Sequence, residues 1–208
     1  MARARLVGEL RVREAWLRML AAEVASNRDF RSADRTVLEN MLRTEAIGIR
    51  QLEARAVTAG NNMTTVRTET GSMFNDFHVF FVMTPQVQVA TTAANLEGID
   101  KGLARLEPAL ARLISHSRTT VSSDGEGRSS EGEGTRTAFR EYKKEVALAG
   151  RDARMAMTGV LGTTPAQFPG NVRVFVAAES MLQTSRQEIA LARSDLFTIL
   201  RDLLNHTR

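Results

Sequence analysis

A chain of 208 residues and 22.9 kDa is long enough to bury a substantial core. Its 43% apolar, 25% charged and 5% aromatic residues, with four prolines, fit a helical protein poor in turn formers and strand-forming aromatics. It has no cysteine, which excludes disulfides, thiolate metal sites and a cysteine nucleophile. The net charge of +4 permits attraction to a polyanion. However, the 25 arginines and three lysines are scattered, and clustering rather than net charge marks a nucleic-acid footprint, so nucleic acid is a disfavoured partner.

The opening stretch MARARLVGELRVREAW is basic but is interrupted by Arg11, Arg13 and Glu14, so it does not read as a signal peptide. Apolar residues spaced 4,3 along it (Leu6, Leu10, Leu17, Leu20, Val24) predict a helix with one face turned to a partner, broken only at Arg13. A second helix is expected from Ser32, read as its N-cap, with Asp34 in the first turn and a seam of Leu38, Leu42, Ile49 and Leu52. Gly60, Asn61 and Asn62 supply its stop.

A third helix is expected from about Thr64 through Val66, Met73, Phe77, Phe80 and Phe81 to Pro85, whose missing N–H must kink or break it. The run Val79 to Met83 is far shorter than the roughly 20 residues of a membrane span, and no span is expected. Beyond Pro85, Leu96, Ile99, Leu103, Leu106, Leu110 and Leu113 form a clean seam that Pro108 should bend. The Ser/Gly/Glu-rich segment 117–136 has almost no apolar residue and reads as a flexible loop.

Helix resumes with Phe139, Tyr142, Val146, Ala149, Ala153 and Val160, and Gly162 closes it. Thr164-Pro165-Ala166-Gln167 then has the form of a capping box with proline at the first helical position. A final helix over about 171–206 carries Phe175, Ala178, Leu182, Ile189, Ala192, Leu196, Ile199 and Leu203 and would run roughly 50 Å. The expected fold is all-α: a single elongated domain over 1–208, an antiparallel bundle of long, partly kinked helices with one flexible loop.

Several stretches, "RSADRTVLENML", "FNDFHVFFVMTPQVQVA", "TTPAQFPGN" and "ARSDLFTILRDLL", occur in an order that resembles a group of uncharacterised, export-associated helical proteins of actinobacteria and related bacteria. The resemblance spans most of residues 30–204 and implies a secreted or cell-envelope setting with no activity attached.

Chemistry is hard to place. Residues three before His78, His116 and His206 are Asn75, Leu113 and Leu203, so no Glu-x-x-His pair of the di-iron type exists. His-Glu-x-x-His, Gly-x-Ser-x-Gly and Walker patterns are also missing. Asp76 and His78 stand two apart, which on a helix points them to different sides. No enzyme activity, cofactor or metal is expected.

Three binding roles remain. The first is a structural or interaction protein, a homo-oligomer or one that binds a protein partner. Its expected interface is the cluster Met73, Phe74, Phe77, Phe80, Phe81 and Met83, too apolar all round for one helix face. The second is a carrier holding an apolar ligand at that same cluster. The third is a polyanion binder using Arg3, Arg5, Arg11, Arg13 and Arg18.

Overall fold

The computed structural model describes residues 2–60, 62–121 and 129–205, with side chains described outside 117–132. Among these residues all regular structure is helical, as expected. In chain order the elements are α1 (Ala2–Ser26), α2 (Ser32–Thr58), α3 (Met63–Asn75), a π-helix (Val79–Met83), α4 (Thr84–Ala104), α5 (Glu107–Val121), α6 (Ser129–Leu161), a 3₁₀ turn (Pro165–Gln167) and α7 (Val172–Asn205). The chain divides into two compact units, Met1–Ala94 with Ala156–Glu179, and Asn95–Met155 with Ser180–Arg208. The long helices α4, α6 and α7 supply residues to both.

In the first unit, α1 and α2 are antiparallel, with Arg11 paired to Glu53 at 2.7 Å and Arg50 to Glu14 at 3.6 Å. The predicted seams make this contact: Leu10, Leu17, Leu20 and Val24 of α1 and Leu38, Leu42, Ile49 and Leu52 of α2 are all buried. Gly60 takes the left-handed conformation (φ 57°) that ends α2 without a Cβ clash. The Asn62 carboxamide oxygen then accepts from the Thr64 and Thr65 N–H groups to start α3, and Arg55 grips Glu69 at 3.1 Å across the hairpin.

Several boundaries differ from the sequence reading. The N-cap of α2 is Arg31, and Ser32 is already helical, with no side-chain cap. The third helix stops at Asn75, well before Pro85, and Pro85 lies in the first turn of α4. Pro85 offers no N–H to the carbonyls of Phe80 and Phe81. The preceding turn widens into the π-helix, and the Thr84 hydroxyl donates to the Val79 carbonyl at 3.1 Å. Pro108 likewise sits in the first turn of a new helix, with the break at residues 105 and 106. The segment expected as a loop at 117–136 is helical over 117–121 and 129–136, with Thr135 buried, while its centre, 122–128, lies outside the described residues.

One buried polar residue ties the first unit together. Gln86 is fully buried, and its amide nitrogen donates to the Val160 carbonyl at 2.7 Å and the Thr163 carbonyl at 3.1 Å. The first is a carbonyl of the last turn of α6, which has no partner within the helix, and the second belongs to the connection just beyond the end of α6. Val160 also receives the Thr163 N–H and hydroxyl, so Thr163 is the carbonyl that depends on Gln86.

The second unit is also antiparallel. The Tyr142 hydroxyl of α6, fully buried, donates to the Leu103 carbonyl at the end of α4 at 2.6 Å. Arg154 approaches Glu97 at 3.6 Å, and Gly150 is where a Cβ would strike the Asp100 carboxylate. Burial, reinforced by the charges of Glu107 and Asp100, pushes the Tyr142 hydroxyl up to about 12, so it stays a donor. Small side chains (Ala149, Ala153, Ala192) fill the buried positions of α6 and α7 and permit close approach.

Replacing Gln86 tests its role. Gln86→Leu leaves the Thr163 carbonyl unpaired and should cost about 1–3 kcal/mol in urea unfolding. Gln86→Glu places acceptor against acceptor and should cost more. Equal stability of the two variants would show that the amide donor does not matter.

Candidate functional site

The apolar segment identified in the sequence lies wholly in the first unit, and the structure divides it into core and surface. Met73 and Met83 are fully buried with Val79 and Val82. Phe77 is half-buried, its ring lying where a Cβ on Gly48 would be. Phe74, Phe80 and Phe81 are exposed, Phe81 at 64%. The segment is therefore not covered on every side: it has a filled inner face and an open outer one.

The outer face is organised by rings from distant parts of the chain. Phe81 and His78 both lie against Phe168, at centroid separations of 5.6 and 4.6 Å. Phe168 is held there by the 3₁₀ turn, in which the Gln167 side-chain oxygen accepts from the Thr164 N–H at 2.8 Å, so the predicted capping box forms around this turn rather than around a helix. On the other side Trp16 meets Phe80 edge-on at 5.9 Å, and its indole N–H donates to the Thr84 hydroxyl at 2.8 Å. That geometry satisfies the polar edge of the indole while its apolar body packs.

Arg13, the break in the α1 seam, belongs to this face. Its side chain is buried, with the guanidinium 5.6 Å from the Phe74 ring centre and 5.2 Å from that of Phe80. The Glu9 carboxylate receives one of its N–H groups at 3.0 Å. A cation between two rings and a carboxylate is compensated for lost hydration, which explains its tolerance at a core position. Its Nε, sealed from solvent, has no hydrogen-bond partner.

The five arginines of the polyanion reading are not assembled into one patch. Arg13 is buried, Arg11 is paired with Glu53, and Arg18 with Glu14 at 2.6 Å. Arg3 and Arg5 are exposed. A hollow of about 340 Å³ opens between Leu17, Ala21 and Ala25 of α1 and Leu42 and Ala46 of α2, with Arg18, Glu39 and Arg43 also lining it. It lies away from the Phe77 to Met83 segment expected to hold an apolar ligand.

The histidine and carboxylate assignments divide similarly. Asp76 ends α3 as its C-cap and is exposed, while His78 precedes the π-helix. His116 lies within α5, its Nδ1 2.9 Å from the Arg112 carbonyl, and His206 lies outside the described residues. Among the described residues no three His, Asp or Glu side chains gather as metal ligands do, and no helix is long and apolar enough to cross a membrane. On α7, Val176, Leu191, Phe197 and Leu204 are exposed apolar positions.

Sequence reasoning passed over Glu45. It occupies the α2 seam position between Leu42 and Ile49, where the 4,3 spacing calls for an apolar residue. It lies one turn from Met41, which touches the Gln86 amide, and nearly one turn from Gly48, which receives Phe77. Its Oε2 is sealed without a partner, and burial pushes its carboxyl up to about 7. Arg13 and Glu45 thus meet the same difficulty in different ways: one is compensated by rings and a carboxylate, the other by taking up a proton.

Comparison with protein-family models, with curated proteins and with solved structures finds no match.

Two outcomes follow. Gly48→Ala drives a methyl into the Phe77 ring and should cost about 1–3 kcal/mol in thermal or urea unfolding; an unchanged midpoint would mean that the ring is not held there. For Glu45, the folded carboxyl at about 7 lies above the ordinary 4.5, so the folded state favours the proton. Its stabilisation is complete below the ordinary value and is lost as pH rises through about 7. Glu45→Gln should therefore raise stability at about pH 8 by about 2 kcal/mol, allowing for partial screening, and change it little near pH 5. A variant as pH-dependent as the parent would contradict this.

Proposed function

We propose that this chain is a non-enzymatic interaction protein that associates through the aromatic face of its first unit, with a second copy of itself as the partner. The observation that carries the reading is the exposure of Phe74, Phe80 and Phe81 on a support of buried or paired groups: Arg13, Trp16, Phe77 and Phe168. Rings held in place lose little entropy on association, and aromatic residues with arginine dominate the energetics of protein interfaces. A π-helix under such a face agrees with the reading, because π-turns occur frequently at functional sites.

An envelope or secreted setting remains part of the proposal on the strength of the sequence resemblance alone. Fractionation of the producing cell tests it: recovery with the cytosol alone would remove it.

The association itself is tested by solution mass. The parent chain should show a concentration-dependent mass above 22.9 kDa, and Phe74→Ser with Phe81→Ser should return it to the monomer while leaving the helical circular dichroism unchanged. A parent that is monomeric at every concentration, or association that persists in the double variant, contradicts the reading.

A further inference from the structure

The register of α6 against α7 within the second unit is set by two hydrogen bonds. The Ser185 hydroxyl donates to the Ala149 carbonyl at 2.9 Å, and the Thr135 hydroxyl to the Asp202 carboxylate at 3.4 Å. The two helices run in opposite directions. Counting inward from either bond brings Glu188 level with the stretch between Glu145 and Asp152, and Asp195 level with Glu141. On α6 these carboxylates recur at spacings of four and seven residues and on α7 at a spacing of seven, which keeps them on one face. The alanine seam that lets the helices approach closely thus runs beside a ladder of acids.

The ladder is poorly compensated. Asp152 and Glu188 are buried, and Glu141, Glu145 and Asp195 are half-buried. Glu188 is only 9% exposed, and its Oε2 is sealed from solvent without a hydrogen-bond partner. The cations at the ladder are exposed and already engaged: Lys144 with Glu141 at 3.0 Å and Glu145 at 3.7 Å, and Arg151 with Asp152 at 2.8 Å. Elsewhere in the unit, on α4, Glu97 is met by Lys101 and Arg154 at 3.8 and 3.6 Å. Asp100, which feels Glu97, Lys101 and Glu107, faces Gly150 of α6 with its Oδ1 unpartnered.

We propose that the α6–α7 seam of the second unit is a proton-operated clamp, closed while the Glu188 and Asp195 carboxylates are protonated and loosened when they ionise. Burial, then Asp152 and Glu145, push the Glu188 carboxyl above its ordinary range against a smaller opposing pull from Arg151. Burial, then Glu145 and Glu141, do the same to Asp195. The folded seam therefore holds these protons more tightly than the unfolded chain does. The stabilisation is complete below the ordinary carboxylate range and is lost as pH rises through the raised values.

Hydrogen exchange on the full chain, read by mass spectrometry at about pH 5 and about pH 8 and corrected for the intrinsic pH dependence of exchange, tests this. The Glu45→Gln background removes the separate proton effect of the first unit. Peptides covering 140–152 and 185–198 should lose protection several-fold at the higher pH while those of α1 do not, and Glu188→Gln with Asp195→Asn should keep the protection. Equal protection at both pH values, or a loss that persists in the double variant, overturns the clamp. So does failure of that variant to fold at the higher pH, since the repulsion that the substitutions remove exceeds the pull of Arg151 on Glu188.

Discussion

The first unit depends on the pair of hydrogen bonds from the buried Gln86 amide to the Val160 carbonyl in the last turn of α6 and to the Thr163 carbonyl just beyond it. A helix terminus in a dry environment needs donors for its last carbonyls, and here they come from a residue 74 and 77 positions away in sequence. Gln86 stands two residues after the π-helix closes at Thr84. Fixing it against Val160 and Thr163 therefore fixes where the π-turn ends. From there the consequences spread outward. Thr84 is positioned to accept the Trp16 indole, Trp16 to support Phe80, and the turn after α6 to bring Phe168 under Phe81 and His78.

Both units place charge inside helical seams and compensate it by different means. Arg13 is held by two rings and a carboxylate. Glu45 and Glu188 each keep a sealed oxygen without a partner, and for both burial favours the protonated form. Apolar side chains would be cheaper at such positions. Arg13 lies against the exposed Phe74 and Phe80, Glu45 stands within about a turn of Met41 and Gly48 on α2, and Glu188 stands three residues from Ser185, whose hydroxyl donates to the Ala149 carbonyl.

The helical class and the seams of α1 and α2 were legible because the 4,3 spacing is a local property, whereas the equally regular run through α4 and α5 buries Leu96, Leu103 and Leu110 but leaves Ile99, Leu106 and Leu113 exposed. Leu10, Leu17, Leu20, Leu38, Leu42, Ile49 and Leu52 are buried where it puts them, and Gly60 adopts the conformation that its lack of a Cβ permits. What was not legible depends on contacts between distant residues. The end of α3 at Asn75 is invisible in a run that remains apolar to Met83, because the break involves Phe77 seating on Gly48 and His78 on Phe168. The helical margins of 117–136 were hidden by a composition dominated by Ser, Gly and Glu. The division of the aromatic segment into buried Met73 and Met83 and exposed Phe74, Phe80 and Phe81 could not be read from periodicity, since every one of these residues is apolar. Glu45 was detectable: an acid at a seam position is a signal, as Arg13 was.

The Gln86 tie holds the π-helix and, through it, the aromatic face. Trp16 is the only tryptophan and touches both Phe80 and Thr84, so its fluorescence reports directly on that arrangement. In Gln86→Leu, measured under conditions where the chain remains folded, the Trp16 emission should be red-shifted and more readily quenched as the indole loses its seat. An emission identical to that of the parent would contradict it.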